Sequence, residues 1–274
     1  MSGVEGRVCV VTGGARGLGQ AIAAALGAAG GRLAICDVLE AELEATAAEL
    51  RGRGVEVYAA CCDVSDSAAV DAFFAAVEAR LGPVEVLVNN AARVPGGLED
   101  EARRSRHYAY ITTPQPRGSL GFTSAMSDEE WLKYWDVNVH GLFYCTRAAL
   151  RQMEPRGYGR IVNIASIAGL SNFSAHSPHY SATKGAVIAF TRSVGMEVAG
   201  ANVFVNAIAP GGVATPMFED YLSRLDEEAR NRMFQFVPAG RLGTMEEYAG
   251  LALYLAGDNH YLAGQVISPN GGMF

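Results

Sequence analysis

A chain of 274 residues with no break in composition can bury about three quarters of its unfolded surface around one core. A separate second domain is therefore not expected. Its formal net charge of -7 argues against a nucleic-acid partner, and no run of about 18 uncharged apolar residues exists to span a bilayer. The first residues lack both a basic start and an apolar core, so no secretory signal is expected. The five cysteines show no metal-ligand spacing, and most fall in strand-like runs where a thiol behaves as a small hydrophobe. The expectation is a cytoplasmic protein without a metal centre.

Read in chain order, short apolar runs alternate with helical stretches. The strand candidates are residues 8–11, 32–36, 55–60, 84–89, 160–164, 203–209 and 265–267. Such alternation predicts an α/β fold of one domain, a Rossmann-type doubly wound parallel sheet covered on both faces by helices. Ligands of such a sheet lie at the carboxyl ends of its strands.

The first run leads into Thr12-Gly13-Gly14-Ala15-Arg16-Gly17-Leu18-Gly19, and an alanine-rich helical stretch follows. Strand, glycine turn and helix in this order suit a dinucleotide. Glycines at 13, 17 and 19 permit a tight turn, close approach of the backbone to a pyrophosphate, and packing of the helix start, with free N–H groups aimed at the anion. The second run ends in Asp37, where a carboxylate accepts hydrogen bonds from a ribose diol and repels a 2′-phosphate, favouring NAD over NADP. Arg16 is a counter-signal, because a guanidinium there reaches a phosphate. A turn residue capping the next helix is the other reading of Asp37.

Further along, Ser166 closes the run that begins at Arg160, and fourteen residues later Tyr180 stands four positions before Lys184. On a helix these two share a face, and Ser177-Pro178 reads as an N-cap followed by proline at the first helical position. A nearby ammonium and the positive end of a helix dipole both favour a phenolate. Lowering a phenol by about three units takes about 4 kcal/mol, within reach of the two effects together in a partly dry cleft. Tyr-x-x-x-Lys alone is equally an exposed aromatic and a solvated lysine; the glycine turn upstream is what gives it weight.

With these residues in hand, the chain resembles the short-chain dehydrogenase/reductase family in its single-domain branch over nearly its whole length. Thr12-Gly13-x-x-x-Gly17-x-Gly19 looks like the family's cofactor turn, and Asp63-Val64 like the pair whose carboxylate meets the adenine. Asn89-Asn90-Ala91-Ala92 resembles N-N-A-G, with alanine in the last place. Asn138, Ser166, Tyr180 and Lys184 match the catalytic tetrad. Pro210-Gly211 and Thr215, with Val213 between them, resemble the segment that holds the nicotinamide carboxamide.

The resemblance implies that Tyr180 exchanges a proton with the substrate oxygen while nicotinamide exchanges a hydride with its carbon. Ser166 then hydrogen-bonds that oxygen, Lys184 lowers the Tyr180 pKa and binds the ribose, and Asn138 anchors a proton-relaying water. The expected activity is NAD-dependent interconversion of a secondary alcohol and a ketone on an apolar or cyclic skeleton. The runner-up is reduction of a 3-oxoacyl thioester, with Arg103, Arg104 and Arg106 receiving a phosphopantetheine. A catalytically silent dinucleotide sensor has no need of the Ser166, Tyr180 and Lys184 set. Expected substrate neighbours are Ile167, Ala168, Phe173, His176, His179, Met217 and Phe218, with Tyr221 close by.

One stretch departs from the family pattern. Residues 93–127 insert roughly twenty extra residues, first charged, then rich in tyrosine and proline, and read either as a lid at the cofactor cleft or as a surface excursion. Apolar residues on more than one side of the helices spanning residues 128–153 and 185–198 predict a symmetric homo-oligomer, and the family resemblance implies a homotetramer.

Overall fold

The computed structural model describes residues 3–172 and 174–273. Seven strands, β1 (Val8–Thr12), β2 (Arg32–Asp37), β3 (Val57–Cys61), β4 (Val86–Asn89), β5 (Gly159–Ile164), β6 (Val203–Ile208) and β7 (Val266–Ile267), form one parallel sheet in the order β3-β2-β1-β4-β5-β6-β7. All seven expected strands are present, with ends shifted by a residue or two. Val55 stays outside β3 because its N–H closes the preceding helix on the Leu50 carbonyl. Val84 stays outside β4 because its N–H goes to the Gln152 side chain at 2.8 Å.

Among the described residues ten α-helices accompany the sheet: α1 (Gly17–Ala28), α2 (Glu40–Gly52), α3 (Ser67–Leu81), α4 (Leu98–Thr112), α5 (Asp128–Trp135), α6 (Leu142–Met153), α7 (Pro178–Val198), α8 (Pro216–Ser223), α9 (Glu227–Phe234) and α10 (Met245–Ala256). Successive strand residues face opposite sides. Val11, Leu33, Ile35 and Val88 pack on one side with Ile22 and Leu26 of α1 and Leu255 of α10. Val10, Ala34, Leu87 and Ile161 pack on the other with Phe73 and Phe74 of α3 and Cys145 of α6. Central strands buried on both faces read as continuous apolar runs, which is how they stood out in the sequence.

The chain winds outward from β1 to β3 and then returns to β4 on the other side of β1, so the strand order reverses between β1 and β4. A crevice opens at the carboxyl ends of those two strands. Thr12 fastens it, its hydroxyl oxygen accepting from the Asn90 and Ala91 N–H groups at 3.1 and 3.0 Å.

The insertion carries one helix. This is α4, four turns whose opening Glu99, Asp100 and Glu101 complement the helix dipole, and residues 113–127 follow without helix. Only His107 of α4 is fully buried. No helix among the described residues is long and apolar enough to cross a membrane.

Candidate active site

The glycine turn after β1 needs its glycines for measurable reasons. Gly13 and Gly17 adopt φ of 66° and 59°, where other residues are strained. A methyl group on Gly19 would stand 2.0 Å from the Gly13 carbonyl oxygen and 2.5 Å from Asn90 Nδ2. Asn90 completes the turn, its amide donating to the Thr12 and Gly13 carbonyls at 3.0 Å each. Helix α1 begins at Gly17 with no side-chain cap and no acid in its first turn, leaving its opening N–H groups and dipole for an anion. Asp37, at the carboxyl end of β2, accepts from Ala15 N–H at 3.1 Å and Leu39 N–H at 3.2 Å. It braces the glycine turn rather than capping α2, whose N-cap is Leu39. Asp63 is exposed and accepts from the backbone and hydroxyl of Ser65 at 2.9 and 2.7 Å, while Val64 is buried against Gly141.

Across the crevice, Ser166 lies two residues past the end of β5 and accepts from Ala168 N–H at 3.1 Å. Its hydroxyl also hydrogen-bonds the Tyr180 phenol. Helix α7 begins at Pro178 as expected, although the Ser177 hydroxyl makes no cap hydrogen bond. Tyr180 lies in its first turn. Burial raises the Tyr180 pKa, opposed by the Ser166 hydrogen bond and by the charge of Arg104.

Lys184 stands beside Tyr180 as the helical spacing expects, its ammonium 5.7 Å from the ring centre, and it donates to the Ile164 carbonyl at 2.7 Å. Burial brings the Lys184 pKa down to about 8, because a charge in this dry position lacks solvation. Gly169 lets the backbone of the Ser166 turn close onto α7, since a methyl there would meet Lys184 backbone atoms at 2.6 to 2.8 Å.

Asn138 lies in a π-helical segment, Asp136–Gly141, that interrupts the run from α5 to α6. Such widened turns recur at functional sites. Its Oδ1 accepts from Arg93 N–H at 2.7 Å, and its Nδ2 donates to the Arg93 carbonyl and the Thr183 hydroxyl at 3.0 Å each. Asn138 thus clamps the root of the insertion to the helix bearing Tyr180. Pro210 accepts from Ile167 N–H at 2.9 Å, Val213 bridges to Gly243, and Thr215 caps α8.

A glycine turn at a switch point faces a half-buried serine and tyrosine and a buried lysine, and the chain as a whole matches a known family. The family model for short chain dehydrogenase covers residues 7–226. The 3-oxoacyl-acyl-carrier-protein reductase MabA of Mycobacterium tuberculosis is 36% identical over 97% of this chain and 92% of its own length. Among solved structures, a variant of actinorhodin polyketide ketoreductase with NADPH has a TM-score of 0.83 and 37% identity, covering 97% of both chains. Levodione reductase has a TM-score of 0.82 and 31% identity over 98% of this chain and 97% of its own. The chain belongs to the short-chain dehydrogenase/reductase family.

On the substrate side of this short-chain dehydrogenase, the insertion is built into the cleft. Tyr108 of α4 stacks on Phe236 at 5.9 Å and lies 6.1 Å from the His176 ring, and Arg224 of the α8 end holds Glu101 through two bonds of 2.9 and 2.8 Å. His107 and His176 are buried with their Nδ1 atoms 3.3 Å apart, so one donates and the other accepts. Burial brings His176 down to about 3 and lowers His107, which keeps the pair neutral. Met217 and Phe218 line a cleft of about 250 Å³ between the insertion and α8, and Ile167 and Ala168 are buried beneath Ser166.

One substrate assignment changes. His179 is 0% exposed, with its ring centre 4.0 Å from that of Tyr134 and its Nε2 3.7 Å from Glu130. One residue along a helix is about 100° around it, so turning Tyr180 to the cleft turns His179 to α5. Tyr110 is engaged inside the insertion, its hydroxyl donating to the Gly118 carbonyl at 3.0 Å. Phe173 lies outside the described residues. His107, buried beside the cleft, had no assigned role in substrate binding, and Arg104 entered only through the phosphopantetheine reading. Their only signal was the spacing Arg104, His107, Tyr108 on one helical face. A larger depression of about 650 Å³, lined by Phe74, Pro83 and Pro155, lies by the amino ends of β4 and β5, away from this chemistry.

Proposed function

We propose that this short-chain dehydrogenase interconverts a secondary alcohol and a ketone on an apolar or cyclic skeleton, with NAD(H) as its coenzyme and Tyr180 as acid and base. The observation that carries the reading is the set of half-buried Ser166 and Tyr180 with buried Lys184, facing the glycine turn. A dinucleotide fits the residues present. Gly13, Gly17 and Gly19 leave room for a pyrophosphate at the bare start of α1, with Arg16 and Leu18 beside it. Asp37 would receive the adenosine ribose, with Asp63 and Val64 flanking the adenine. Asn90, Ala91, Pro210, Gly211, Val213 and Thr215 would hold the nicotinamide end.

When bound, the nicotinamide supplies or accepts the hydride. The chain supplies the proton. In reduction Tyr180 donates its phenolic proton to the carbonyl oxygen, and the Ser166 hydroxyl donates a hydrogen bond to that oxygen as charge develops on it. Lys184, with a pKa near 8, exchanges a proton at working pH and would reach the nicotinamide ribose. Asn138 holds the backbone at Arg93 and thereby the wall behind the site. A silent dinucleotide sensor would have no use for the Ser166, Tyr180 and Lys184 set.

The 3-oxoacyl thioester reading keeps its place because MabA and the actinorhodin ketoreductase are among the similar proteins. Against it, two of the three arginines meant for a phosphopantetheine are otherwise engaged. Arg103 is bound to Glu99 and Glu130, and Arg106 lies over the Phe122 ring at 5.4 Å. Asp37 also disfavours the phosphate of NADPH.

Fluorescence titration with NADH and NADPH, followed by turnover of cyclic ketones and of an acetoacetyl thioester, separates the two readings. NADH is expected to bind more tightly, with Asp37→Ala narrowing the gap, and cyclic ketones are expected to turn over faster. Tighter NADPH binding together with faster thioester turnover would overturn the assignment. Leu132, Phe143 and Met196, the last 86% exposed, support a homotetramer built on α5, α6 and α7. Light scattering at micromolar concentration checks that, and a monomer mass would exclude it.

A further inference from the structure

The three arginines clustered on α4 differ in what they hold. Arg103 is bound by Glu99 and Glu130, and Arg106 covers Phe122. Arg104 is half-buried and turned into the cleft, its guanidinium carbon 4.9 Å from the Tyr221 ring centre and 5.5 Å from that of Phe218. Among the described residues no carboxylate pairs with it. The two acids that share its cleft, Glu101 and Asp220, are both held by Arg224, at 2.8 and 3.1 Å. Both rings pack against the Arg104 guanidinium, and among the described residues none of its five N–H donors has a hydrogen-bond acceptor.

A cation placed so has an obvious complement. We propose that Arg104 anchors a carboxylate carried by the substrate, so that the preferred ketone is an oxo acid whose acid group lies across the aromatic cleft from its carbonyl. The proposal rests on the ketone reading given above. Planar carboxylates meet the edge of a guanidinium through two parallel hydrogen bonds, stronger than neutral ones. Phe218 and Tyr221 would sandwich the carbon skeleton beside the ion pair, and Met217 would close the outer wall. The charge of Arg104 also acts on Tyr180 and His176, so the anchor belongs to the same cleft as the phenol.

The test uses para-acetylbenzoate and its methyl ester, which share a skeleton and differ by one charge. Equilibrium binding of each to the protein saturated with reduced coenzyme is read first, then turnover of each, for the parent and for Arg104→Met, Arg104→Lys and Arg106→Met. The parent is expected to bind the acid more tightly than the ester. In Arg104→Met that preference should fall about ten- to a hundredfold, the loss expected for a charge-assisted hydrogen bond. Arg104→Lys should keep part of it, and Arg106→Met should keep all of it. Equal binding of acid and ester by the parent, or a preference unchanged in Arg104→Met, overturns the proposal. If the acid binds in an Arg104-dependent way but neither compound is ever reduced, the anchor stands and the ketone reading falls. If both are reduced without an acid preference, the ketone reading stands and the anchor falls.

Discussion

On the coenzyme side of the cleft, Gly13, Gly19, Thr12 and Asn90 meet through backbone atoms and one amide, at distances a single added methyl would violate. On the substrate side, α4, α8 and the segment after α9 meet through side chains: Tyr108 on Phe236, Arg104 over Tyr221, Arg224 on Glu101. Backbone contacts demand particular residues at particular positions, so the first side has a recognisable pattern. Side-chain contacts accept many solutions. The second side is therefore where members of one fold can differ in what they bind.

The largest expected effect lies where the two sides meet. Tyr180→Phe keeps the ring that packs 6.4 Å from Tyr134 and removes the only atom that carries the proton. Turnover should fall by about two to four orders of magnitude while the dissociation constant for NADH stays close to that of the parent. Lys184→Ala should damage both, because its buried ammonium also ties α7 to β5 through Ile164. A Tyr180→Phe enzyme that kept most of its activity would remove the proposed acid.

The difference between the sides also accounts for what could be read in the sequence. The central strands are buried on both faces and leave unbroken apolar runs, and the glycines, Asn90, Asn138, Ser166, Tyr180 and Lys184 stand at fixed spacings. Helix α4 offers neither sign. It is charged, buries only His107, and is held by partners such as Arg224 that lie 123 residues away in the chain. Helical spacing placed Lys184 beside Tyr180, but it could not tell that the ammonium would turn to a backbone carbonyl. The same spacing, applied to His179, would have turned that ring away from the cleft, since it is the immediate neighbour of Tyr180.

A smaller effect should follow from weakening the substrate side alone. Tyr108→Ala removes a ring packed between His107, His176 and Phe236 and should cost about 2 to 4 kcal/mol, less than the full truncation of a core aromatic because Tyr108 is not fully enclosed. For a chain of this size that is a fall in melting temperature of about 4 to 16 °C. If the two sides are built as separately as their contacts indicate, KM for ketones should rise while NADH affinity holds. Equal losses in ketone and NADH affinity would mean that the sides are coupled through Asn138 and its clamp on Arg93.

The smallest effect concerns pH and again falls on the substrate side. His176 is held neutral at about 3, against an ordinary value of 6.5, by burial first and then by the charges of Arg104, His107 and His179. Between those two values the unfolded chain carries a proton at this position that the folded chain does not. Stability therefore rises with pH across that window and is lost as pH falls through it, with full stability present above about 6.5. One such group changes stability by at most about 1.4 kcal/mol per pH unit. His107, also lowered by burial, acts in the same direction. Urea midpoints measured at pH 7 and pH 5 should fall less for His176→Gln than for the parent, because glutamine has no proton to gain. Identical acid slopes for the two proteins would show that this histidine pair is solvated in solution, and that the substrate side is more open than its packing implies.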